Sequence, residues 1–248
     1  MDLVDQNRNL FSQSFKTLNE LRLLTFAYFG LNCAVSIVET WFPDNLATLL
    51  LYAPFGAIFS FFFFCSVLGV AQGEINLRMF VRFALRYVLL GFGIVLVGIY
   101  LVTETYGSLS AEAQDQGIWL STFLLSALLV ILIPSYFFGT VLPAQIVGKQ
   151  RQIWAGLCNT VRQSGYMLPR FLGYFVPFMI AEGILGATML QPVTPAGSID
   201  TFSFLLVIVS NALGIIGEAV LYVIFARAYL KDLRERGEIP VVDTEVFA

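Results

Sequence analysis

Histidine is absent from this 248-residue chain. With it go the commonest metal ligand, the usual proton shuttle near neutral pH, and every Ser-His-Asp or Cys-His arrangement. Cysteine is scarce: Cys33, Cys65 and Cys158 are odd in number and lack CxxC spacing. Neither a disulfide framework nor a thiolate metal cage is expected from them, and they read as small polarizable packing residues. Charge is scarce as well. Only 12% of residues are charged, against a soluble average of about 25%. The net charge of −3 comes with basic groups spread along the chain, so there is no continuous basic footprint and nucleic acid is not an expected partner. Gly91 and Gly93 lie inside an apolar run and begin no nucleotide fingerprint. No cofactor and no enzymatic activity are expected.

Positive charge is also missing from three particular places. The stretches 39–44, 104–117 and 191–200 carry acids and neutral residues but no Lys or Arg. All 14 basic residues instead fall into four clusters: Arg8/Lys16/Arg22, Arg78/Arg82/Arg86, Lys149/Arg151/Arg162/Arg170 and Arg227/Lys231/Arg234/Arg236. Apolar runs separate these clusters from the uncharged stretches, and hydrophobic residues make up 58% of the chain. Basic loops held to one side are the positive-inside pattern of a polytopic membrane protein. The expectation is an all-α membrane protein in a bacterial inner (plasma) membrane, with both termini cytoplasmic. Asp2 and Asp5 ahead of the first apolar run argue against a cleavable leader.

A spanning helix needs about 20 mostly apolar residues. Six runs qualify, 22–41, 46–72, 82–103, 118–147, 171–190 and 201–228, making one domain over 1–230 with a cytoplasmic tail at 231–248. Trp41 and Trp119 fall at the expected outer boundary and Trp154 at the inner one, where an amphipathic ring is half wet. Pro54, Pro134, Pro143 and Pro177 interrupt spans two, four and five, each removing a backbone hydrogen bond. The odd-numbered spans share an amphipathic prelude. Residues 9–21 put Leu10, Phe11, Phe15, Leu18 and Leu21 near one helical face. Residues 153–168 mix Trp154, Leu157, Val161 and Met167 with Asn159, Arg162 and Gln163, and residues 75–87 are a shorter version. Each reads as a helix lying on the cytoplasmic surface before the chain enters the membrane. The even spans echo one another near their ends, at 62–69, 136–143 and 222–229. Three repeats of interfacial helix plus helical hairpin, related by rotation about the membrane normal, would account for this.

The layout of six spans with basic amphipathic leaders, closing as Ala226-Arg227-Ala228-Tyr229-Leu230-Lys231-Asp232-Leu233-Arg234, resembles the membrane domains attached to some glycerophosphoryl diester phosphodiesterases. It is also similar to related standalone six-span bacterial families. The resemblance implies the six-helix fold over most of the chain. It carries no catalytic residue, because the phosphodiesterase domain itself has no counterpart here.

Two acids interrupt apolar spans, Glu182 and Glu218. Glu182 lies twelve residues past Arg170 and Glu218 nine before Arg227, or about 18 Å and about 13.5 Å along a helix. Both therefore reach similar depth on consecutive antiparallel spans. An ionised carboxylate there costs at least about 2.5 kcal/mol, so each should be neutral, paired, or turned toward a wet cavity. Asn32, Ser210 and Asn211 are candidate polar neighbours. Gly183 and Gly186 beside Glu182, and the Ser210/Gly214/Glu218 stripe at i+4 spacing, would equally suit close helix packing. Arg78, Arg82, Arg86, Lys149 and Arg151 are expected to meet anionic lipid headgroups. Two functions follow as expectations. One is association, as scaffold, assembly factor or accessory subunit with other membrane subunits or a second copy. The other is a small proton- or cation-coupled transporter or channel component using Glu182 and Glu218.

Overall fold

The computed structural model describes residues 10–41, 46–90, 133, 135–137, 139–147, 153–189 and 201–238. The described residues are all helical, with no strand among them. In chain order the helices are α1 (Leu10–Glu20), α2 (Arg22–Trp41), α3 (Leu46–Val67), α4 (77–90), α5 (Val141–Val147), α6 (Ile153–Arg162), α7 (Ser164–Arg170), α8 (Val176–Met189) and α9 (Thr201–Glu235). A wider π-helical turn, Phe171–Phe175, joins α7 to α8. That turn sits where Pro177 withholds an amide hydrogen from the preceding carbonyls, and a widened turn takes up the lost bond.

At 35 residues α9 is long and apolar enough by itself to cross a membrane. Its length of about 52 Å exceeds a hydrocarbon core of about 30 Å, so one end must project beyond any bilayer. The bent pair of Leu10–Glu20 and Arg22–Val38 makes a second candidate crossing, and Tyr52–Val67 is a shorter apolar helix. Of the other expected spans, 82–103 and 118–147 lie largely outside the described residues, as do Lys149, Arg151, Trp119 and Pro134. The tail expected from residue 231 does not begin there: α9 continues to Glu235. It then closes at Gly237, whose φ of 68° lets Gly237 N–H reach Arg234 C=O (2.9 Å) and Glu238 N–H reach Leu233 C=O (2.9 Å). Gly69, also at φ 68°, ends α3 in the same way, with Val70 N–H on Cys65 C=O at 2.9 Å. The second expected span therefore stops at Val67, short of 72.

The first leader is a separate helix, turned 92° from the span that follows. Thr25 Oγ1 donates to Leu18 C=O across that corner (3.1 Å). Its inward face differs from the expected one: Leu10, Ser14, Thr17 and Leu18 are buried, while Phe15 is half exposed. The second leader is turned the opposite way from a simple apolar-inward helix. Asn159, Thr160 and Gln163 are buried against the protein, and Trp154, Val161 and Leu168 face outward. Thr160 donates to Phe137 C=O (3.1 Å) and stands 2.8 Å from Thr140 Oγ1, so the polar groups are satisfied by neighbouring backbone and hydroxyls. The leader at 75–87 and the described start of the span expected at 82–103 form one continuous helix, α4, capped by Asn76 Oδ1 on Met79 N–H (2.9 Å). The three sequence echoes fall at a helix end (62–69), across a turn at Gly139–Thr140 (136–143) and inside a helix (222–229).

α9 is the central post. It packs on α1, α2, α3, α5, α6, α7, α8 and the π turn. From Ala219 to Tyr229 every residue is buried. The core around it is aromatic: Tyr28 stacks on Phe59 (centroids 4.5 Å apart), and Phe63 and Phe64 meet Tyr222 at 5.6 and 5.0 Å.

Candidate functional site

Close approach of backbones organises the site. A Cβ at Gly139 would stand 2.2 Å from the Phe225 ring, and one at Gly217 3.0 Å from Phe178 Cβ. On the same face of α9, one at Gly214 would stand 2.8 Å from Glu182 Oε1. The glycines thus let α8 and the 135–147 region lie directly against α9, as small residues do at membrane helix contacts. What this leaves between the helices is a cavity of about 360 Å³. α8 supplies Met179 and Glu182, and the π turn supplies Phe175. α9 supplies Asn211, Gly214, Ile215, Glu218, Leu221, Tyr222 and Phe225. α2, α3 and α4 supply Asn32, Tyr52, Tyr87 and Leu90, and Ser135, Gly139 and Leu142 complete the described wall.

Glu218 is held by tyrosines from two other helices. Tyr28 Oη lies 3.3 Å from its Oε2 and Tyr52 Oη 3.5 Å from its Oε1, with the two hydroxyls 3.0 Å apart. Two hydroxyls bring two protons, so a carboxylate at 218 accepts one from each, or a protonated Glu218 donates back into the pair. A second hydroxyl cluster adjoins it: Ser60 Oγ donates to Gly56 C=O (2.7 Å) and lies 2.8 Å from Tyr222 Oη. A Cβ at Gly56 would stand 2.7 Å from Tyr87 Oη, which places that hydroxyl against α3 as well. Glu182 differs. It lines the same cavity, and among the described residues no donor is hydrogen-bonded to it.

Of the candidates named from sequence, Glu182, Glu218, Asn32 and Asn211 line this one cavity. Asn32 Nδ2 donates to Tyr28 C=O (2.7 Å), and Asn211 Nδ2 to Val207 C=O (2.8 Å) and Ser36 Oγ (3.1 Å), so both amides steady the wall. Ser210 is buried next to it but is not a lining residue. Arg78 and Arg82 are exposed and stand apart from the cavity, Arg86 is half-buried, and Lys149 and Arg151 lie outside the described residues. The sequence reading missed Tyr28, Tyr52, Tyr87 and Tyr222. Only Tyr222 carried a local signal, four residues past Glu218 on the same helix face.

Beyond the cavity, the projecting end of α9 carries a polar latch. Asp232 is fully buried and accepts from Arg162 (2.8 Å) and Arg236 (2.8 Å). Gln163 Nε2 donates to Glu235 (2.5 Å), Arg227 Nε to Gln13 Oε1 (2.7 Å), and Arg236 pairs with Glu238. The Arg170 guanidinium sits 4.0 Å over the Tyr166 ring. Burial raises the Tyr166 hydroxyl above its usual range, against the downward pull of Arg227 and Arg170. The latch fastens α1, α6 and α7 to α9.

Among the described residues no group of three or more His, Cys, Asp or Glu side chains is placed to hold a metal ion. No protein-family model, no curated protein and no solved structure matches this chain.

Proposed function

We propose that this chain is a six-span membrane protein that binds and passes protons or small cations through the cavity lined by Glu182 and Glu218. One observation carries the reading: two carboxyls from successive described apolar helices meet at a single cavity, one tethered by tyrosines and the other with no hydrogen-bond donor among the described residues. A packing role alone would leave such groups in a closed seam, each acceptor satisfied. The outward surface supports the membrane setting. Leu23 (83% exposed) and Phe26 (71%) on α2, Leu89 on α4, Ile184 on α8 and Phe202 on α9 point away from the protein. The buried groups meanwhile include Asn32, Ser60, Thr140 and Asp232. Large apolar side chains left outward around a core that also holds polar groups is an arrangement that lipid favours and water opposes. The associative alternative loses one of its arguments, because Gly214 and Gly217 spend their close approach on Glu182 and Phe178 of the same chain.

The test is flux in sealed proteoliposomes containing a pH-sensitive dye. Wild type should dissipate an imposed proton or cation gradient, and Glu182→Gln and Glu218→Gln should each slow it at least tenfold. Flux equal to wild type in both variants would sink the reading.

A further inference from the structure

The cavity is larger than a proton path requires. Its volume of about 360 Å³ falls within the range of about 300–1,000 Å³ that small-molecule sites occupy. At about 30 Å³ each, on the order of ten waters would fill it. Its two carboxyls are not equivalent. Both oxygens of Glu218 face tyrosine hydroxyls, whereas Glu182 lines the cavity with no hydrogen-bond donor on it among the described residues. Around them stand the rings of Tyr52, Tyr87, Tyr222 and Phe225. A carboxylate with spare lone pairs, set among aromatic side chains, is how proteins recognise an organic ammonium: the charge meets the acid and the C–H shell meets the rings. A hard divalent cation fits less well, since it asks for six or more oxygens, mostly carboxylates, carbonyls or water, rather than rings. An anion would face two acids and no described basic residue in the lining.

We propose that this cavity binds a monovalent organic ammonium with an apolar body, its positive head on Glu182 and its body against Tyr52, Tyr87, Tyr222 and Phe225. The proposal rests on the cation-transport reading above and names its substrate class. Glu218, tethered by Tyr28 and Tyr52, serves as the second acid that keeps the chamber receptive to positive charge.

Equilibrium binding of radiolabelled benzyltrimethylammonium to the purified full-length protein in mild detergent tests this. Neopentylbenzene, the carbon isostere without the charge, is the competitor. Saturable binding is expected, with neopentylbenzene competing at least tenfold less well than unlabelled benzyltrimethylammonium. Affinity should fall at least tenfold in Glu182→Gln and recover in part in Glu182→Asp. Gly214→Ala, whose new methyl would displace the Glu182 carboxyl, should also weaken binding. Absence of saturable binding, equal competition by the neutral isostere, or wild-type affinity in a Glu182→Gln protein that elutes like wild type would overturn the proposal. The isostere comparison needs no variant, so misfolding cannot mask it. Glutamate-dependent proton flux without ammonium binding overturns this inference and leaves the transport reading intact. Ammonium binding without any flux overturns the transport reading instead.

Discussion

Three glycines and one tyrosine illustrate how individual residues constrain this molecule for different reasons. Gly139 has no room: its imagined Cβ stands 2.2 Å from the Phe225 ring. Gly139→Ala should therefore force that ring or its helix to shift, costing about 1–3 kcal/mol of stability, read as a lower midpoint in unfolding from detergent. Gly237 has open space around it but a φ of 68°. Gly237→Ala should cost only the backbone penalty of about 1–2 kcal/mol. The two variants separate in a second measurement: the cavity-wall change should alter ligand binding and the helix-end change should not. Gly214 joins the first class, its obstacle being the Glu182 carboxyl. Tyr28→Phe removes a hydroxyl that touches both Tyr52 and Glu218. The expected loss is about 0.5–1.5 kcal/mol, and a double-mutant cycle with Glu218→Gln should give a nonzero coupling because the groups share one network. Additivity of the two changes would mean that the network is not formed.

Helix α9 decides most of what happens at the level of elements. Its apolar stretch places Glu218 and Tyr222 in the cavity, and its projecting end places Asp232 between Arg162 and Arg236. One rigid rod thus connects the chamber to the latch. Arg162 is half exposed and Arg236 more buried, so both cations reach water if Asp232 is lost, and the penalty is that of charge-assisted hydrogen bonds rather than of a stranded buried charge. Asp232→Ala should cost about 1.5–3 kcal/mol and loosen α6 and α7 first. Hydrogen exchange checks this: amides of Ile153–Arg162 and Ser164–Arg170 should lose protection while those of α2 and α3 keep theirs. Uniform loss across all helices would assign the latch to global stability instead. The corner between α1 and α2 belongs to the same scale. Thr25 ties it to Leu18 C=O, and the 92° turn lays α1 flat if α2 stands upright.

For the whole molecule, the distribution of charge makes the firmest prediction. Basic clusters separated by apolar runs from three stretches without cations predict that the loops alternate between two compartments. Single cysteines at Gln114 and at Arg234, in a background lacking Cys33, Cys65 and Cys158, should be labelled by an impermeant thiol reagent from opposite faces of the membrane. Labelling from the same face would remove the topology and with it the transport reading. The outward apolar surface and the inward polar groups fit that orientation.

Sequence alone was enough for every feature governed by near neighbours. Helical class, the two long terminal-side apolar runs and the first leader as a separate helix follow from composition and charge within a few residues of each position. The meeting of Glu182 and Glu218 at one cavity is consistent with counting residues along each helix from its basic end. The inward faces of the leaders were not legible. Satisfying Asn159, Thr160 and Gln163 against neighbouring segments outweighed hiding Trp154 and Val161, and in lipid the outward position of an apolar ring carries no penalty. The tyrosine tether of Glu218 joins positions 190 and 166 residues apart, and the cavity draws on α2, α3, α4, α5, α8, α9 and the π turn. Such contacts depend on which helix faces come together in space, a choice made by packing among Gly139, Gly214 and Gly217 that no local pattern encodes.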